Sequence, residues 1–142
     1  MLRLPPYGFF IIVLLGVTLG VLICHFRRMR SATAKKLYLS QCDVALQYPQ
    51  LANPEGRLDM HARTFGGDKT AFEQYEWYVA RLVYVLDECM LLSKKPRWRA
   101  VADTQLGVHK HYFGSDYYKK QNYLPHYSEN MRQLIEQQGK GA

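Results

Sequence analysis

Tyr7-Gly-Phe-Phe-Ile-Ile-Val-Leu-Leu-Gly-Val-Thr-Leu-Gly-Val-Leu-Ile-Cys24 is apolar apart from Thr18, and no Asp, Glu, Lys or Arg stands between Arg3 and Arg27. Crossing a hydrocarbon core of ~30 Å at ~1.5 Å per residue takes roughly 20 helical residues. Pro5 or Pro6 through Phe26 supply them. Both prolines suit the first helical turn, where a missing N–H has no intrahelical partner to lose. Tyr7, Phe9 and Phe10 fall at one interface, and His25 with the following arginines at the other. A cleaved secretory signal has an apolar core of ~7–15 residues and a small-residue cleavage site. Here the core is longer, and Cys-His-Phe-Arg-Arg-Met-Arg (24–30) follows without an Ala-x-Ala pattern. The stretch reads as an uncleaved membrane anchor.

The flanks set an expected orientation. Arg3 precedes the span, whereas Arg27, Arg28, Arg30, Lys35 and Lys36 follow it. The positive-inside rule therefore expects a short outer N-terminus and a cytoplasmic C-terminal domain. Within the span, Gly16-Val-Thr-Leu-Gly20 has the small-xxx-small spacing that lets two membrane helices approach closely. Gly16 and Gly20 are the candidate contact for self-association or for another membrane subunit.

Working outward, the whole chain has 142 residues, 19 Lys and Arg against 12 Asp and Glu, and a net charge of +7. At 48% hydrophobic and 22% charged, the composition excludes a disordered polar chain. Arg3, Arg27, Arg28 and Arg30 hold four of the positive charges beside the span, and Lys94-Lys-Pro-Arg-Trp-Arg99 holds four more. The remainder is near neutral. Nucleic-acid binding usually rests on a basic surface with many phosphate contacts, so nucleic acid is not the expected partner. Arg27, Arg28 and Arg30 are expected to meet anionic lipid headgroups. Lys94, Lys95, Arg97 and Arg99 form a second candidate contact for an anionic partner.

The expected fold class is all-α, with residues 1–30 as anchor and basic flank and residues 31–142 as a small helical domain. The anchor is expected to continue as helix to Tyr48, because residues 31–48 lack Gly and Pro, and Pro49 stops it. Residues 49–69, with Asn53-Pro54, Gly56 and Gly66-Gly67, read as a long loop. Thr70 and Glu73 have capping-box spacing at the start of a helix that repeats apolar residues from Phe72 to about Met90. Two further helices are expected: from Pro96 to about Tyr112, and over residues 129–138. A bundle of about three helices after the anchor is the economical architecture.

Chemistry is thinly represented. Cys24, Cys42 and Cys89 form no Cys-x-x-Cys pair. His109-Lys-His111 is the strongest metal candidate, with Asp116 and His126 near in sequence. On one helix, however, residues at i and i+2 point about 200° apart, unlike the i, i+4 pair of a zinc helix. Asp87-Glu88 in the most apolar helix reads as structural ion pairing, with Arg81, Lys94 or Arg99 as partners. No nucleophile elbow, phosphate loop or zinc-protease motif is present. The expectation is a non-enzymatic protein with no cofactor. It reads as a single-pass membrane accessory or scaffold subunit that makes protein–protein contacts in a larger complex. The alternative is a membrane-tethered binding module that engages an acidic protein, anionic lipid or nucleic acid through residues 94–99.

Overall fold

The computed structural model describes residues 6–141; Arg3 and Pro5, which the topology argument uses, lie outside them. The described residues are mainly helical. α1 (Pro6–Gln47), α3 (Lys69–Leu92), α4 (Pro96–Gly107) and α7 (Glu129–Lys140) form the frame. α2 (Pro49–Ala52), α5 (Lys110–Gly114) and α6 (Asp116–Gln121) are short, and a 3-10 turn spans Leu124–His126. Residues 49–69 are more structured than expected. They hold α2 and a two-residue antiparallel hairpin, β1 (Leu58–Asp59) against β2 (Thr64–Phe65), too short to leave an alternating signature.

α1 is unbroken over 42 residues, about 63 Å at the α-helical rise. Its apolar part is long enough to cross a membrane, and none of its most apolar window is buried against the rest of the chain. Beyond Arg30 the same helix enters the domain, where Ala34 and Gln41 are buried. α3 packs antiparallel on it. The Arg30 guanidinium donates to the Leu91 carbonyl at 3.0 Å, the Cys89 thiol to the Ala34 carbonyl at 3.1 Å, and Arg81 Nε to Gln41 Oε1 at 3.0 Å. Arg30 thereby places a cation on one of the last carbonyls of α3, at the negative end of its dipole.

α3 is the central element. Phe72, Tyr75, Val79, Leu82, Val83 and Leu86 are buried, spaced three and four apart as an apolar stripe requires. Ala102 and Leu106 of α4, Tyr112 and Phe113 of α5, and Met131, Leu134 and Ile135 of α7 close the core. A smaller cluster of Ala34, Val85, Cys89 and Trp98 seals the end nearer the anchor.

Three local expectations are revised. The α3 cap is Asp68 rather than Thr70: its carboxylate accepts the Thr70 N–H at 2.7 Å. Gly66 and Gly67, at φ +60° and +86°, make the turn that delivers Asp68 in an extended conformation at that point. The helix from Pro96 ends at Gly107, and a tight His109 N–H to Leu106 carbonyl bond redirects the chain into α5. Tertiary packing favours the break, because Gly107 abuts Gln138 and the redirected chain buries His109, Tyr112 and Phe113. Among the described residues Asp87 makes no ion pair. Its buried carboxylate accepts the N–H of Ser128 at 2.9 Å and the Ser128 hydroxyl, at the N-terminus of α7. The positive end of that helix stands where a cation was expected.

Candidate functional site

The two basic clusters, over sixty residues apart in sequence, meet at one end of the domain. Arg30 reaches Leu91, so the C-terminal end of α3 lies level with the basic flank of α1. From there the chain passes Ser93, Lys94 and Lys95 and enters α4, whose Trp98 packs edge-on against Tyr38 with ring centroids 5.6 Å apart. Trp98 is buried in the same cluster as Ala34. Lys94, Lys95, Arg97 and Arg99 are exposed, as are Arg27, Arg28 and Arg30. Residues 1–42 and 89–102 contain no carboxylate. Among the described residues the salt bridge present is Glu129–Arg132 on α7, remote in sequence from these cations.

A second surface is the uncovered side of α3. Trp77 is 78% exposed, Tyr84 62% and Leu91 43%. They are seven residues apart, two helical turns each, and so share one line along the helix. Arg81 lies on the same face and donates to Ser40 and Gln41 of α1, so the line runs beside the α1–α3 seam. α4 covers the other side of that seam through Trp98 and Tyr38. The apolar repeat from Phe72 to about Met90 does not by itself separate Trp77 and Tyr84 from the buried stripe. The seven-residue spacing opposite Phe72, Tyr75 and Val79 was the available signal.

Gly16 and Gly20 are exposed, and among the described residues no neighbouring element lies within 4 Å of a Cβ built on either. Ala34 is 18 residues beyond Gly16, about five helical turns. The glycines therefore lie on the azimuth of α1 on which α3 packs further along.

The metal candidates disperse. His109 is buried, with Nδ1 2.9 Å from the Tyr75 hydroxyl. Burial pushes His109 down to about 4 and the Tyr75 phenol upward, so a protonated phenol and a neutral imidazole share this hydrogen bond. His111 and Asp116 are exposed along one groove with Asp59 and His61, and His126 is exposed on the 3-10 turn. Among the described residues no group of three or more His, Cys, Asp or Glu side chains is placed to hold a metal ion. The polar network that the sequence did not disclose centres on Glu76. It accepts from the Tyr112 hydroxyl at 3.0 Å and the Tyr117 hydroxyl at 3.2 Å. Burial and that carboxylate push Tyr117 up to about 12, so it remains a hydrogen-bond donor. An apolar cavity of about 270 Å³ lies between α6 and α7, lined by Phe113, Tyr118, Tyr123, Leu124 and Ile135.

No family model, curated protein or solved structure matches the chain.

Proposed function

We propose that the protein is a single-pass membrane subunit whose small helical domain makes protein–protein contacts within a larger membrane complex. The carrying observation is that one helix is bare over its most apolar window, after Pro6, and then, unbroken, becomes a wall of a folded core. Bare apolar surface of that length is stable in hydrocarbon and costly in water. A helix that enters a core without a hinge transmits the orientation of the span to the domain. The flanking charges favour a cytoplasmic position for the helical domain.

The line of Trp77, Tyr84 and Leu91 supports contact with another subunit, since large aromatics are enriched at interface cores. The seat of Gly16 and Gly20 favours a different subunit over a second copy. A partner helix on that face emerges directly beneath α3, where a second copy would bring its own domain into the same space. Photocrosslinkers placed at Trp77 and Tyr84 test the reading in native membranes. One discrete, saturable adduct to another membrane protein is expected, with none from Lys35 or Lys36 on α1. Diffuse adducts from all four positions would reject it.

A further inference from the structure

We infer that Arg27, Arg28 and Arg30 join Lys94, Lys95, Arg97 and Arg99 in one cationic collar that docks the anchor-proximal end of the domain onto anionic lipid headgroups. The inference rests on the membrane-anchor reading and adds to it a defined contact between the folded domain and the bilayer. Four observations carry it.

The first is height. Arg30 lies four residues beyond Phe26, about 6 Å along the helix, which is within the headgroup layer of a bilayer whose total thickness is ~40–45 Å. The Arg30–Leu91 bond fixes the end of α3 at that level, and Trp98, packed with Ala34 and against Tyr38, fixes the start of α4 about 6–12 Å further along α1. Residues 94–97 connect these two points, so the segment starts at the headgroup level and rises about 6–12 Å from it, on the order of the ~8 Å Debye length at physiological salt.

The second is sign. No carboxylate occurs in residues 1–42 or 89–102, and among the described residues none of the seven cations takes part in a salt bridge. The third is the local cost. α4 begins without a side-chain cap and with no acid in its first turn, yet carries Lys94, Lys95, Arg97 and Arg99 around its positive end. Cations at that end oppose the helix dipole, an arrangement that an external anion relieves. The fourth is the apolar edge. Leu91 is 43% exposed at the same level, where it can enter the interfacial region while the cations meet phosphates. Trp98 is spent on the core, so base stacking, the usual companion of cations in a nucleic-acid site, has no aromatic there.

Each basic residue at an anionic surface contributes about fivefold (about 1 kcal/mol) to surface occupancy. The experiment uses the full chain in bilayer discs of phosphatidylcholine alone or mixed with phosphatidylglycerol, with amide hydrogen exchange read over residues 91–99. Exchange is expected to slow by roughly tenfold or more in the anionic discs. High salt, or Lys94→Gln, Lys95→Gln, Arg97→Gln and Arg99→Gln together, should abolish the slowing. All four side chains are exposed, and unchanged exchange over α7 in the same samples reports that the variant is folded. Equal exchange in both lipids overturns the proposal. Slowing in neutral discs only on adding an oligonucleotide or an acidic peptide overturns it in favour of that partner. Release of the wild-type chain from membranes by alkaline carbonate overturns the anchor itself, a readout that the collar variant does not affect.

Discussion

Lowering the pH from about 7.5 to about 5 should cost the domain about 2 kcal/mol through His109 alone. In the unfolded chain a histidine takes up its proton near pH 6.5. In the fold, burial holds His109 neutral until about 4. Between those values the unfolded state binds more protons, so the stability from neutral His109 is full above pH 6.5 and is lost as the pH falls toward 4. At about pH 5 the unfolded histidine gains about 2 kcal/mol from protonation, and the buried one less than about 0.1. Against a total of about 5–15 kcal/mol for a typical domain, that shift is readily measured. The assay is urea unfolding of the full chain in mild detergent at the two pH values, followed by Trp98 fluorescence in a Trp77→Phe background. Trp98 is buried and Trp77 exposed, so the remaining signal reports the core. His109→Gln removes the titrating group and should flatten the dependence, whatever it does to stability at pH 7.5. A wild type equally stable at both values, or a slope that persists in His109→Gln, would refute the assignment.

Other consequences can be checked with the same preparation. Asp87→Ala strips the N–H and hydroxyl of Ser128 of their acceptor and should lower stability by about 2–4 kcal/mol; a loss under about 0.5 in the urea midpoint would contradict the capping role. Cys89, buried beside Glu88, has its thiol pushed up to about 11, which leaves a thiolate fraction on the order of 10⁻³ or less at neutral pH. Iodoacetamide should leave it unmodified until urea is added, and equal rates with and without urea would count against that environment. Trp77→Ala should change stability by less than about 0.5 kcal/mol, whereas Leu86→Ala, wholly buried, should cost about 2–5 kcal/mol. A large loss from Trp77→Ala would mean that its ring belongs to the core.

The readable elements were those whose signal lies within one segment. The long apolar helix shows as an uninterrupted apolar run, α3 as apolar residues at three- and four-residue spacing, and α7 as Met131, Leu134 and Ile135 after Ser128. What escaped depended on neighbours far along the chain. Asp68 and Thr70 are both competent caps, and the Gly66-Gly67 turn chose between them. Nothing local distinguishes Gly107–His109 from a continuing helix; Gln138 and Tyr75 do. Asp87 meets Ser128 across 41 residues, so a carboxylate read as half of an ion pair instead holds the capping residue of α7. Both basic clusters were visible as composition. Their meeting follows from the antiparallel packing of α1 and α3, which no periodicity encodes.

The central claim is that the chain works as a membrane-anchored part of something larger. Native mass measurement after gentle detergent extraction addresses it most directly. The account predicts one defined particle, larger than the 16.6 kDa chain and its bound detergent, containing a second membrane protein in fixed ratio. Paired replacement of Gly16 and Gly20 by Leu, or Trp77 with Tyr84 by Ala, should dissociate it while the chain stays in the membrane. Recovery of the wild-type protein solely as a free monomer would contradict the account.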